Sequence, residues 1–295
     1  MRSLKTLTCM PTWTEQSGKR IRLSRIFRPE SGRSVTIAFA YGMARGSVPE
    51  GNLGSVDLIG RFEAIVEAGA DAIVLSPGLL RIVSPVFGRH TSPAIILAMD
   101  WTNMWRPADA LGYKEGTTAV TATVEDALRL GADAVMTYLF LGLQTAELEA
   151  EQVAKNASIS RECERLGLVH IIESMARGSN VPPHSETRTE YLRLHTRMAA
   201  ELGADIVKTD WNDDADEFAK VVAGCPVPIL IAGGSKRATP TDALRMAEGA
   251  IRSGARGVVF GRNVTQATHS AKMVRALVRV VHEDAPLADA ENELN

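Results

Sequence analysis

Short apolar runs recur along the chain, and six of them follow a helix-like stretch closed by a glycine. They read "VEAGADAIVL" (66–75), "LRLGADAVMT" (128–137), "ERLGLVHII" (164–172), "AELGADIVKT" (200–209), "VVAGCPVPILI" (221–231) and "IRSGARGVVF" (251–260). A glycine just past a helix end can take φ > 0 and stop it, and the apolar run that follows suits a strand buried on both faces. Two further runs, "SVTIAF" (34–39) and "PAIILAM" (93–99), lack the preceding helix. The pattern therefore predicts strands at about 35–39, 72–76, 94–99, 133–139, 168–173, 204–208, 227–231 and 256–260. Most of the intervening segments have helical periodicity. Residues 269–283 place Met273, Leu277 and Val281 on one face, and "ATPTDALRM" starts a helix with Thr239 as N-cap, Pro240 next and Asp242 in the first turn.

Eight alternating strand–helix units predict an α/β fold, a single-domain (β/α)8 TIM barrel over residues 35–285. An open doubly wound sheet is the competing topology. It would more often carry a glycine fingerprint after its first strand, and "FAYGMARG" does not match G-x-G-x-x-G. Residues 1–34, polar and basic, read as an N-terminal arm. Residues 286–295 read as a flexible, acidic C-terminal tail.

Composition narrows the function classes. The chain has 295 residues, 45% hydrophobic and 23% charged, with a net charge of −2. That balance gives no electrostatic reason to expect nucleic acid or an anionic membrane as partner. No apolar run approaches the ~18 residues that a membrane span needs. Cys9, Cys163 and Cys225 are scattered, without metal-ligand spacing, as expected of reduced thiols in a cytoplasmic protein. The reading calls for no cofactor and no metal.

In a barrel of this kind the chemistry sits at the C-terminal strand ends. There the sequence puts Ala40-Tyr41-Gly42, Ser76, Asp100, Tyr138, Glu173 with Arg177, Lys208, "GGSK" (233–236) and "GRN" (261–263). The last two loops offer backbone N–H groups and the cations Lys236 and Arg262 to a phosphate. Read alone, their glycines could equally serve tight turns. Lys208 ends an otherwise apolar strand. A free lysine is neutral in only about four molecules per ten thousand at pH 7, so a nucleophilic amine needs desolvation or a neighbouring cation such as Lys236. The alternative is a lysine that reaches solvent or pairs with Asp205 or Asp210. Glu173, Tyr41, Asp100 and Asp210 are candidates for proton transfer, with Glu173 equally placed to be an ion-pair partner of Lys208 or Arg177. Trp101 and Trp105 could wall the pocket, cap the barrel or meet another subunit. Tyr138 reads as a core residue.

"GADIVKT", "VAGCPVPILIAGGSK" and "GARGVVFGRNV" together resemble the lysine-dependent class I aldolases of the deoxyribose-phosphate and archaeal-type fructose-bisphosphate group. The nearest likeness is to the branch of the autoinducer-2 degradation thiolase. The likeness runs from about residue 20 to 283 and implies Lys208 as the Schiff-base lysine. It also implies Gly234, Gly261 and Arg262 as phosphate ligands, with Gly233 and Lys236 close by, and a homo-oligomer, in this branch often a decamer. Two departures stand out. The family usually has Asp-His-Gly where this chain has Ala40-Tyr41-Gly42. "ESMARG" (173–178) keeps only Arg177-Gly178 of a Trp-x-Tyr-Pro-Arg-Gly stretch. The expectation is a Schiff-base carbon–carbon lyase or transferase acting on a small phosphorylated ketose or ketone. Thiolase-like acyl transfer on a phosphorylated dione and a non-catalytic phosphosugar-binding barrel are the alternatives.

Overall fold

The computed structural model describes residues 17–46, 58–89, 91–106, 109, 111–113 and 115–295. Among the described residues ten strands form: β1 (Ser34–Ala38), β2 (Ala72–Leu75), β3 (Ala94–Ala98), β4 (Asp100–Thr102), β5 (Thr118–Val120), β6 (Ala134–Leu141), β7 (Val169–Ala176), β8 (Ile206–Thr209), β9 (Ile229–Ala232) and β10 (Gly257–Phe260). Eight of them close a parallel barrel in the order β1-β10-β9-β8-β7-β6-β3-β2. This is the expected (β/α)8 barrel, and each barrel strand overlaps an expected one. The short antiparallel pair β4–β5 was not anticipated, and it lies in the connection between β3 and β6.

Burial on both faces of the sheet divides the core in two. Ile73, Leu75, Leu97, Val135, Ile172, Val207 and Ile231 pack outward against the helices. Val74, Ile96, Met136, Ile171, Ile206, Leu230 and Val259 fill the barrel interior. The helix Ser270–Glu283 supplies Met273, Leu277 and Val281 to the outer layer, as its periodicity predicts. The helix Pro240–Arg252 begins with a reciprocal Thr239–Asp242 capping box. Of the six glycines between helix and strand, Gly69, Gly131, Gly167, Gly203 and Gly254 have positive φ. Gly224 instead ends its helix in ordinary backbone.

The basic segment read as an arm contains a helix, Ser17–Ile26, seated under the barrel. Leu23, Ile26 and Phe27 join the interior cluster. Three aspartates from the repeated "GAD" triplets hold it there. Asp71 pairs with Arg28, Asp133 with Arg25 and Asp205 with Lys19. Each of these carboxylates also accepts a backbone N–H from the neighbouring strand, those of Val35, Ile95 and His170 respectively. Lys19 is only 2% exposed, which its two carboxylate partners, Asp205 and Glu164, make tolerable. Residues Leu287–Glu291, read from sequence as part of a flexible tail, form a short helix with Ala290 fully buried. Among the described residues no helix is long and apolar enough to cross a membrane.

Candidate active site

Side chains alternate along a strand, so residues two positions beyond an interior residue also face inward. Met136, Ile171 and Ile206 lie in the barrel interior. Tyr138, Glu173 and Lys208 therefore form the next interior layer, toward the C-terminal mouth. They are in register on three adjacent strands, Tyr138 opposite Glu173 and Glu173 opposite Lys208.

Lys208 Nζ lies 2.8 Å from Glu173 Oε1. Lys208 is 6% exposed and Glu173 4%, so this is a buried ion pair. Glu173 Oε2 is also buried and has no hydrogen-bond partner among the described residues. The other carboxylates once weighed for Lys208 are engaged elsewhere, Asp205 with Lys19 and Asp210 with Arg177 at 2.7 Å. Lys236, expected as a cationic neighbour, is exposed and does not line the pocket. The charge facing the amine is thus a carboxylate.

Both members of the pair open onto one pocket, with an empty volume of about 930 Å3 including its mouth. Its other walls include Tyr138, Trp105, Met175 and Arg177 on one side and Gly233, Gly234, Gly261 and Arg262 on the other. Gly234 has φ +61° and open space where a Cβ would be, so backbone can meet a ligand there. Asn263, buried, ties the two glycine loops together. Its Nδ2 donates to the Gly233 carbonyl (2.8 Å) and its Oδ1 accepts from the Arg237 N–H (2.8 Å).

Asp100 is placed behind the wall. It accepts the Tyr138 N–H and pairs with Lys155 at 2.6 Å, and it does not line the pocket. Burial pushes its carboxyl up to about 6 against the pull of Lys155. Tyr41 opens a short helix, Tyr41–Arg45, but its side chain lies outside the described residues. Tyr138 is not the core residue expected. It lines the pocket, and its phenol oxygen accepts the Trp105 indole N–H at 3.3 Å. Trp101 stays out of the pocket, under Arg106. Burial pushes the Cys163 thiol up to about 12, which rules it out as a nucleophile near neutrality. Tyr138, Asn263 and Lys155 are the participants that sequence reasoning passed over or set aside. Tyr138 and Asn263 both carried the signal of a polar group at a strand end, while Lys155, in mid-helix, carried none.

The signature of the DeoC/LacD family aldolases matches residues 38–267. The chain belongs to this family. It is 33% identical over 273 residues to an uncharacterised aldolase of Saccharolobus solfataricus, covering 92% of this chain and 97% of that one. It is 32% identical over 280 residues to the 3-hydroxy-5-phosphonooxypentane-2,4-dione thiolase of Escherichia coli K12, covering 94% and 86%. Among solved structures, an archaeal fructose-1,6-bisphosphate aldolase with its catalytic lysine bound to the carbinolamine intermediate superposes with a TM-score of 0.76. That match has 28% identity and covers 90% of this chain and 99% of the other.

Proposed function

We propose that this aldolase-family chain makes or breaks a carbon–carbon bond next to the carbonyl of a small phosphorylated ketone or ketose, through a Schiff base on Lys208. The observation that carries the reading is the buried Lys208–Glu173 pair opening onto a pocket that the two glycine loops and Arg262 also line.

The pair holds one proton between two groups that could each take it. Moving it from Nζ to Glu173 yields a neutral amine without passing through water. That amine adds to the substrate carbonyl carbon and gives a carbinolamine. Glu173 then returns the proton to the carbinolamine oxygen, which leaves as water, and an iminium remains. The orphaned Oε2 is a natural acceptor for that hydroxyl, since buried polar atoms rarely stay unpaired through a working cycle. The iminium draws electrons from the adjacent bond, the step that cleavage or condensation requires. Phosphate would sit between the Gly233-Gly234 and Gly261-Arg262 loops, with roughly 1.5–3 kcal/mol from each charge-assisted hydrogen bond.

The direct experiment is borohydride reduction with dihydroxyacetone phosphate, followed by mass mapping. An adduct on Lys208 is expected, and it should be lost in Lys208→Met. Saturable phosphosugar binding without an adduct would instead favour a non-catalytic barrel. A second reading, thiolase-like acyl transfer on a phosphorylated dione, is favoured by the named activity of the E. coli relative. It predicts that cleavage of such a dione depends on an added thiol acceptor.

A further inference from the structure

Once an iminium forms, one proton still has to move. Cleavage of the neighbouring bond takes a proton from the hydroxyl of the departing carbon, and the enamine left behind must be protonated on carbon. Glu173 is committed at the nitrogen end by its 2.8 Å contact with Lys208. Asp100 is behind the wall with Lys155, and Asp210 is held by Arg177. We propose that Tyr138 is the acid–base residue of the carbon–carbon step. This inference rests on the Schiff-base reading above.

The strand order supplies the argument. Around the barrel run β10, β9, β8, β7 and β6, and the pocket takes residues from each. The glycine loops and Arg262 follow β9 and β10. Lys208 is on β8, Glu173 on β7 and Tyr138 on β6, the last three in one register. Neighbouring strands are about 4.8 Å apart. A substrate laid across this wall with its phosphate in the loops presents its carbonyl to Lys208. The carbons on the far side of that carbonyl then extend past Glu173 toward Tyr138. The same order favours a ketone with phosphate on one side of the carbonyl and the reacting bond on the other.

The phenol is fixed for this work. Trp105 donates its indole N–H to the phenol oxygen at 3.3 Å, and Phe140 stacks on the Tyr138 ring at 5.1 Å between centroids. The indole donor stays in place when the oxygen loses its proton. In cleavage, the Tyr138 phenol first gives its proton to solvent at the pocket mouth, and the phenolate takes the hydroxyl proton as the carbon–carbon electron pair moves to the iminium. The phenol so formed gives that proton to the enamine carbon, and the phenolate left behind regains its own proton from solvent.

The test compares the full-length protein with Tyr138→Phe, using dihydroxyacetone phosphate as probe. Two quantities are read: borohydride-trapped adduct on Lys208, and deuterium exchange by NMR in D2O at the probe's carbon next to the carbonyl, on the side away from the phosphate. Tyr138→Phe should trap adduct as the parent does, which also shows that it folds, while exchange falls 100-fold or more. Trp105→Phe, which keeps the ring but removes the donor to the phenol, should show a smaller loss of exchange with trapping intact. Exchange by Tyr138→Phe within threefold of the parent would overturn the proposal, and so would equal loss of trapping and exchange. If the parent protein traps no adduct at all, the Schiff-base reading itself fails, and the role of Tyr138 fails with it. Normal trapping with undiminished exchange sinks the tyrosine alone.

Discussion

Replacing Glu173 by methionine, Lys208 by methionine, and both together isolates the charge pair at the centre of the site. At 2.8 Å and an effective dielectric near 20, the Coulomb attraction is about 6 kcal/mol. Desolvation offsets much of it, so the net worth of the pair is small while the cost of breaking it is large. Proton exchange with solvent caps that cost. In Glu173→Met the lone ammonium can shed its proton, which at pH 7 limits the penalty to about 4.6 kcal/mol from a lysine reference pKa near 10.4. In Lys208→Met the lone carboxylate can take one up, limiting the penalty to about 3.7 kcal/mol from a glutamate reference near 4.3. The double variant carries no buried charge there and should be within about 1 kcal/mol of the parent. The signs with pH are opposite. A lysine whose ammonium is disfavoured in the fold costs stability below its unfolded pKa, so Glu173→Met recovers as pH rises. A carboxylate disfavoured in the fold costs stability above its unfolded pKa, so Lys208→Met recovers as pH falls, each by about 1.4 kcal/mol per unit. Urea unfolding followed by tryptophan fluorescence between pH 6 and 9 reads all four proteins. Single-variant losses that add in the double to within about 0.5 kcal/mol, or parallel pH slopes, would refute the reasoning.

Burial drives His170 down to about 3. Its unfolded form takes a proton below pH 6.5 and its folded form does not until about 3, so stability should fall through that window as pH drops, by about 1.4 kcal/mol per unit. His170→Asn should flatten the slope of unfolding free energy against pH by one proton, and an unchanged slope refutes the assignment. Lys19→Met leaves Asp205 buried without its cation and should cost about 3–5 kcal/mol, read as a lower urea midpoint. Asn263→Ala cuts the tie between the glycine loops, at about 1–3 kcal/mol for the polar groups left unpaired. Kinetics on a phosphorylated substrate should then show KM rising about tenfold with kcat changed less; the reverse split would dissociate these loops from phosphate binding.

The eight barrel strands were readable because a parallel strand buried on both faces must be apolar at nearly every position, and the glycines ahead of most of them mark the helix ends. That same uniformity hides direction. "AVMTYLFL" gives no sign of which alternate residues face the interior, so Tyr138 could be assigned to core or pocket only once the register was known. The Lys208–Glu173 contact has the same origin, since 35 positions of sequence separate two residues that adjacent strands place side by side. The helix Ser17–Ile26 was missed because "SGKRIRLSRI" looks like a solvated segment. Its Arg25 and Lys19 are matched by aspartates 108 and 186 positions away, and local pattern carries no trace of that.

Those aspartates bear on the chemistry at the opposite end of the barrel. Asp205 and Lys208 are three residues apart, about 10 Å along an extended strand. At the bottom, Asp205 holds the Lys19 ammonium and the His170 backbone N–H. At the top, Lys208 meets Glu173, a residue of the strand that His170 helps to begin. The lower contact fixes the register of β8 on β7, and that register sets the heights of the amine and the carboxylate relative to each other. A shift of one residue would turn Lys208 away from Glu173 and toward the helices, because side chains alternate. The polar "GAD" triplet therefore positions the Lys208–Glu173 layer without touching it. This is why a lysine with a long, flexible stem can be held at a single 2.8 Å contact.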